Sequence, residues 1–323
     1  MGNMYDAHDW LEKFYAHLLM YSEEGKLAKD YLNNRGITEE TIKEFNLGYS
    51  PSKARITLEF LKKKDFSYTD LVNGGVLYRY DKGNLTDPLK GRVIFPIQDF
   101  QNRTVAFGGR TLDSDNKVKY INSADTKIYK KGDNLFGFNL AKEEIQNQGY
   151  AVLLEGYFDV MVAHQSNIKN TIAALGTAIT FNQALLIRDV TSNVVIAYDG
   201  DSAGIESSFR TASVLENVGC NVRIAQIDNE LDPDDFIKEY GGDAFIKEVI
   251  LNASNVEDSF ILSKKKQKGI KCPTSRYSVV SDSLDQLKKN NIDEQKNLLV
   301  KLGNTLNISI EDIYKIIERR SSE

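Results

Sequence analysis

Cysteine and histidine are scarce: two cysteines, Cys220 and Cys272, and three widely separated histidines, His8, His17 and His164, in 323 residues. Two thiols cannot build a disulfide framework, and nothing here has the Cys/His spacing of a zinc site. Any metal bound by this chain is therefore expected to be a hard cation on carboxylates, Mg²⁺ or Mn²⁺, with no zinc. No apolar run reaches the ~18 residues of a membrane span, and Met1 to Trp10 lacks a basic-then-apolar leader pattern. A soluble cytoplasmic protein with no membrane partner is the expectation. A Gly-x4-Gly-Lys-Ser/Thr phosphate loop is also missing, which argues against a fused helicase motor.

Charge is present but uneven. The net charge is −5, yet residues 51–140 carry +6 (16 Lys/Arg against 10 Asp/Glu) and residues 141–240 carry −9 (6 against 15). A basic segment beside an acidic one suits a protein that grips phosphates while holding metal ions.

The pattern of apolar residues divides the chain into three. Residues 1–139 form a basic, mixed α/β module. In it Leu27, Tyr31 and Leu32 mark a helical stripe ending at Arg35-Gly36, and a short helix is expected over Thr38–Phe45. The runs "GVLYRY", "GRVIFPIQD" and "TVAFGGR" read as antiparallel strands, and 120–138 as a long ordered loop. In residues 140–240 the grammar becomes strand, helix, strand, helix: "YAVLLEG", "TIAALG", "NVVIAYDG" and "NVRIAQI" alternate with helices at Phe158–Gln165, Phe181–Asp189 and Ala203–Val218. Continuous apolar strands predict a parallel sheet covered on both faces. Residues 241–323 show only helical patterns, at Tyr277–Lys289, Glu294–Leu302 and Glu311–Arg319, so a helical bundle is expected there.

Acidic motifs sit at the ends of the strand-like runs. "LLEGYFD" places Glu155 after a strand, Gly156 at the turn and Asp159 on the following helix. "VIAYDGDSAG" places Asp199 and Asp201 two apart, on one face if the strand continues. "NELDPDDF" places Asp232 and Asp234 at a helix start. Strand ends of a parallel sheet share one edge, so Glu155, Asp199, Asp201, Asp232 and Asp234 are expected to converge as a metal site for phosphoryl transfer. Each motif has a plainer reading, Asp201 as a helix cap and Asp232 as a cap before Pro233.

Taken together and in this order, the three motifs resemble the TOPRIM domain shared by primases, topoisomerases and some nucleases. Ahead of them, "YLNNRGI", "FNLGYS", "LKGRVIFPI", "VAFGGRTL" and "KYINSADTKIYKKGDNLFGF" look like successive signature segments of bacterial DnaG-type primases. The similarity runs from about residue 5 to 320. It implies a DNA-dependent RNA polymerase that makes RNA primers on single-stranded DNA from ribonucleoside triphosphates. By the same resemblance Arg35, Arg110, Lys119 and Lys131 match basic groove residues and Asn122 a nucleotide-proximal asparagine. Glu155 matches the catalytic acid, with Asp199 and Asp201 beside it, and Asp199, Asp201, Asp232 and Asp234 match metal-site aspartates; Gly156 and Asp159 support them. It further implies a replicative helicase, through a module not recognised here, and alarmone nucleotides as partners, and the sequence reads as an excised catalytic core. A TOPRIM nuclease or a nucleotide-binding regulatory module are the alternatives.

Overall fold

The structure is a computed structural model describing residues 2–79, 84–176, 178–227, 231–268, 299–300, 302–303 and 308–321. Helix α1 (Gly2–Tyr21) buries Met4, Ala7, Leu11, Tyr15 and Leu19, the three-to-four spacing of a single face. Helix α2 (Glu23–Asn34) starts where the Ser22 hydroxyl accepts the Gly25 N–H at 2.9 Å. Its buried face is Gly25, Ala28 and Leu32; of the predicted stripe Leu32 is buried and Tyr31 packs against the core, whereas Leu27 is 69% exposed.

The end of α2 decides where a later side chain goes. Arg35 is the cap and Gly36 follows at φ +80°. The Gly36 N–H donates to Asn33 and the Ile37 N–H to Leu32, while buried Ile37 and Leu32 close the turn. This is a Schellman ending, and the left-handed residue in it strongly favours glycine. Helix α3 (Glu39–Glu44) follows, with Thr38 and Phe45 as its caps.

Strand β1 (Gly48–Ser50), helices α4 (Ala54–Lys62) and α5 (Tyr68–Asn73), and a small ladder of β2 (Tyr78–Arg79) with β3 (Leu85–Thr86) come next. Then β4 (Arg92–Gln98), β5 (Thr104–Thr111) and β6 (Tyr120–Asn122) complete an antiparallel sheet of order β1-β4-β5-β6. The expected loop over 120–138 thus holds an edge strand and a 3₁₀ turn at Lys131–Asp133.

The second sheet is built from α6 (Phe138–Gln148), β7 (Ala151–Leu154), α7 (Tyr157–Gln165), β8 (Thr171–Ala173), α8 (Phe181–Arg188), β9 (Asn193–Ile196), α9 (Ser202–Asn217) and β10 (Asn221–Ile224). Its order is β11-β10-β9-β7-β8, parallel from β10 to β8. Helices α10 (Pro233–Tyr240) and α11 (Gly242–Ala244) and a π-helical turn (Phe245–Ile250) lead to β11 (Ser254–Asn255), which pairs antiparallel with β10. A purely helical end after residue 241 is therefore corrected by one short edge strand. Helices α12 (Val256–Lys268) and α13 (Ile310–Ser321) follow. The helix expected at Tyr277–Lys289, and most of that at Glu294–Leu302, lie outside the described residues.

One apolar core runs through both sheets, joining Leu32, Val93 and Phe95 to Val152, Leu154 and Phe158. Phe95 of β4 stacks on Tyr157 of α7 with ring centres 4.6 Å apart. The antiparallel sheet is thereby fixed against the carboxyl edge of the parallel one.

Candidate active site at the carboxyl edge

From β7 the chain crosses to β8 on one side and returns to β9 on the other, so the order reverses between β7 and β9. Such a switch point leaves a crevice at the strand ends. Glu155 follows β7, and its Oε1 accepts the backbone N–H of Asp199, which follows β9, at 3.3 Å. Asp159, on the first turn of α7, accepts the Gly156 N–H at 2.8 Å through Oδ2 and the Asp234 N–H at 3.3 Å through Oδ1. Asp232 occupies the N-cap position of α10 without a side-chain cap bond, and Pro233 takes the first helical position.

These groups line a cleft of about 390 Å³ with Arg35, Tyr120, Asn122, Phe136, Ala174 and Gly176. Asp234 is 1% exposed and holds two cations, Arg35 at 2.8 Å and Lys238 at 2.6 Å. Arg35 also lies over the Phe158 ring at 4.4 Å. Asn122 is fixed at both ends: its amide donates to the Leu175 carbonyl at 2.8 Å and its oxygen accepts the Tyr157 hydroxyl at 2.6 Å. Gly108 matters here, because a Cβ there would stand 2.3 Å from that hydroxyl. The Gly-Gly of β5 admits Tyr157 and Arg92 of this same chain rather than a ligand.

Burial, then Asp234 and Asp199, pushes Asp159 up to about 7. Burial, then Glu155, Asp232, Asp201 and Asp234, does the same to Asp199, up to about 7. Glu155 is raised by burial and by Asp201, and Asp232 by burial and Asp234. Carboxylates crowded like this keep protons unless a cation neutralises them. The Oδ1 atoms of Asp232 and Asp234 are buried without a hydrogen-bond donor. Ligand oxygens of Asp232, Asp234 and Asp235 all lie within 4.8 Å of one another. An all-oxygen set with orphaned acceptors fits a divalent cation.

Of the residues singled out in the sequence, Glu155, Gly156, Asp159, Asp199, Asp232, Asp234, Arg35 and Asn122 line this cleft. Asp201 does not. The strand ends at Ile196, and Asp201 caps α9 instead, its Oδ1 accepting the Gly204 N–H at 2.7 Å. It is exposed, yet near enough to raise Glu155 and Asp199. Arg110 is not among the lining residues; its guanidinium lies 5.1 Å over Tyr120 and 5.8 Å over Tyr31. Lys119 is exposed, immediately before β6. Lys131 lies in the 3₁₀ turn facing α8, off the cleft lining. Sequence reasoning missed Asp235, Lys238 and Tyr157. The signal for Lys238 was its place four residues after Asp234 on a helix.

A parallel sheet with acids at its carboxyl edge, closed by a basic antiparallel sheet, defines a Toprim-type protein. Residues 152–237 match the family described as Toprim-like, and residues 14–142 that described as DNA primase catalytic core, N-terminal domain. The DNA primase of Halalkalibacterium halodurans is 42% identical over 243 residues, covering 75% of this chain and 40% of the relative. That of Geobacillus stearothermophilus is 34% identical over 321 residues, covering 99% and 53%. The crystal structure of the Aquifex aeolicus primase zinc-binding and RNA polymerase domains superposes with TM-score 0.77 at 31% identity, over 96% of this chain and 74% of that one. A DnaG primase catalytic domain bound to ssDNA gives TM-score 0.77 at 28% identity, over 96% and 98%. The chain belongs to the bacterial DNA primase family. It spans about half the length of the curated relatives it matches.

Proposed function

We propose that this chain is a DNA-dependent RNA polymerase core that joins ribonucleoside triphosphates into short primers on single-stranded DNA. The observation that carries the reading is a single cleft lined by Glu155, Asp159, Asp199, Asp232 and Asp234 together with Arg35 and Asn122. Asp232, Asp234 and Asp235, with Glu155 and Asp199 beside them, would hold Mg²⁺ or Mn²⁺. Such an ion, when bound, supplies neutralising charge for the phosphates and activation of the attacking hydroxyl.

The protein's own part is positional. Glu155 is held by the Asp199 N–H, so its carboxylate is fixed at the strand end. Arg35 offers a planar fork at the mouth, suited to phosphate oxygens. Asn122 is held by Tyr157 and Leu175, leaving its orientation set before a nucleotide arrives. Arg110, Lys119 and Lys131 supply sequence-independent charge for template phosphates. The proposed setting is the cytoplasmic replication fork; among the described residues no helix is long and apolar enough to cross a membrane. A replicative helicase is the proposed partner, and alarmone nucleotides, rich in phosphate, are proposed competitors for the cleft.

The test is incubation with single-stranded template, Mg²⁺ and labelled ribonucleotides. Extension products are expected. Cleavage of the template without extension would move the protein to the Toprim nucleases, and neither product would leave a binding module.

A further inference from the structure

Lys131 poses a question the cleft does not answer. It is not in the lining, so a phosphate reaches it only if the nucleic acid continues past the cleft. The surface over which it would pass is the first turn of α8. Gly176 lines the cleft, and Phe181 is five residues further along the chain, so the two stand at most about 18 Å apart.

The Lys131 turn and α8 form one fastened unit. The Thr180 hydroxyl donates to the Gly132 carbonyl, and the buried Gln183 amide donates to Lys131 at 3.1 Å and to Asn134 at 2.6 Å. Asn182 donates to Asp133 at 2.7 Å, and Asp125 accepts the Lys131 N–H at 2.9 Å. Asp125 and Asp133 thus each accept a hydrogen bond within this unit. On the outer face of α8, Phe181 is 56% exposed and Leu185, one turn on, is 39% exposed. Asn182 and Arg188 share that exposure, and no residue of α8 is acidic.

We propose that single-stranded nucleic acid leaving the cleft crosses the first turn of α8, with a base stacked on Phe181 and phosphates on Lys130 and Lys131. This rests on the primase reading. An exposed aromatic ring beside lysines is the pairing that binds single strands without regard to sequence: the ring takes any base face and the ammonium groups take the backbone. An apolar protein partner would explain Phe181 and Leu185 but not the lysines fastened to their helix. The fastening of the Lys131 turn to α8, within reach of the cleft lining at Gly176, favours the strand.

The experiment compares binding of labelled 12-nucleotide and 3-nucleotide single-stranded DNA by the whole chain. Phe181→Ala is expected to weaken the 12-mer by roughly five-fold or more, the lower end of one stacked base, and to leave the 3-mer and the salt dependence unchanged. Phe181→Trp should restore the 12-mer. Lys131→Ala should instead make the salt slope shallower by about 0.7. A Phe181→Ala protein that melts like wild type and binds the 12-mer equally well overturns the platform and leaves Phe181 and Leu185 as a protein-docking face. Equal loss on both oligonucleotides overturns it too, since the ring would then be supporting the cleft. If the unaltered chain binds neither oligonucleotide, it is the primase reading itself that fails.

Discussion

At the scale of single residues, the cleft stores charge conflict. Asp159 and Asp199 hold protons up to about 7 in the folded chain, whereas an unfolded aspartate releases its proton near ~3.9. Between those values the folded state binds more protons than the unfolded one. Stability of the metal-free protein therefore falls as pH rises from about 4 through about 7, and levels off above. Asp199→Asn removes one of these groups, so the variant should be the more stable protein at pH 8 in chelator and show a shallower decline. Urea midpoints at pH 5 and pH 8 measure this, and added Mg²⁺ should shrink the decline in the unaltered chain. The same variant is expected to lose primer extension. Equal midpoints for the two proteins at both pH values would contradict the crowded-carboxylate geometry.

At the scale of elements, the turn after α2 aims Arg35. Gly36→Ala puts a side chain at φ +80°, at a cost of about 1–2 kcal/mol. The expected outcome is a fall in melting temperature together with a larger loss of extension than that fall explains, because Arg35 is displaced from Asp234. Gly36→Asn should be milder, since asparagine accepts this conformation better. If Gly36→Ala lowers stability yet extends primers at the unaltered rate, Arg35 is not placed by its turn. How far such features could be read from the residues alone differed by element. The strands β7 and β9 were legible because sheets covered on both faces leave unbroken apolar runs, "AVLL" in β7 and "VVI" in β9. Strands β6 and β11 were not, being three and two residues long and set by their neighbours rather than by any period. Leu27 looked inward by composition, but Gly25 and Ala28 are the residues that let α2 approach α1, where a Cβ on Gly25 would fall 1.9 Å from the Leu18 carbonyl oxygen. In the site, strand ends announced Glu155 and Asp199. The cap role of Asp201 and the grip of Lys238 on Asp234 depend on where a helix begins and what lies across from it, which periodicity does not carry.

At the scale of the whole molecule, buried side chains on both sides of the boundary drawn at residues 139 and 140 pack together. Leu32, Phe95, Phe136, Leu154, Phe158 and Phe245 belong to one buried cluster that crosses it. A core shared this way couples the unfolding of one side to that of the other. Unfolding through residues 2–268 is expected to be a single cooperative transition. Far-ultraviolet circular dichroism and the fluorescence of Trp10, on α1, should report the same urea midpoint. Separate midpoints would mean that the basic module unfolds independently of the Toprim unit.

The Arg35–Asp234 bond has a consequence in the language of linked equilibria. A guanidinium engaged on this aspartate is occupied, and so is the aspartate oxygen that receives it. A divalent ion drawing on Asp234 weakens the arginine's hold, and a phosphate drawing on Arg35 weakens the aspartate's. Each ligand thereby removes part of the other's competition, and the factor by which metal strengthens nucleotide binding must equal the factor by which nucleotide strengthens metal binding. The Arg35–Asp234 salt bridge is thus also the term that would make the proposed ion and nucleotide arrive together.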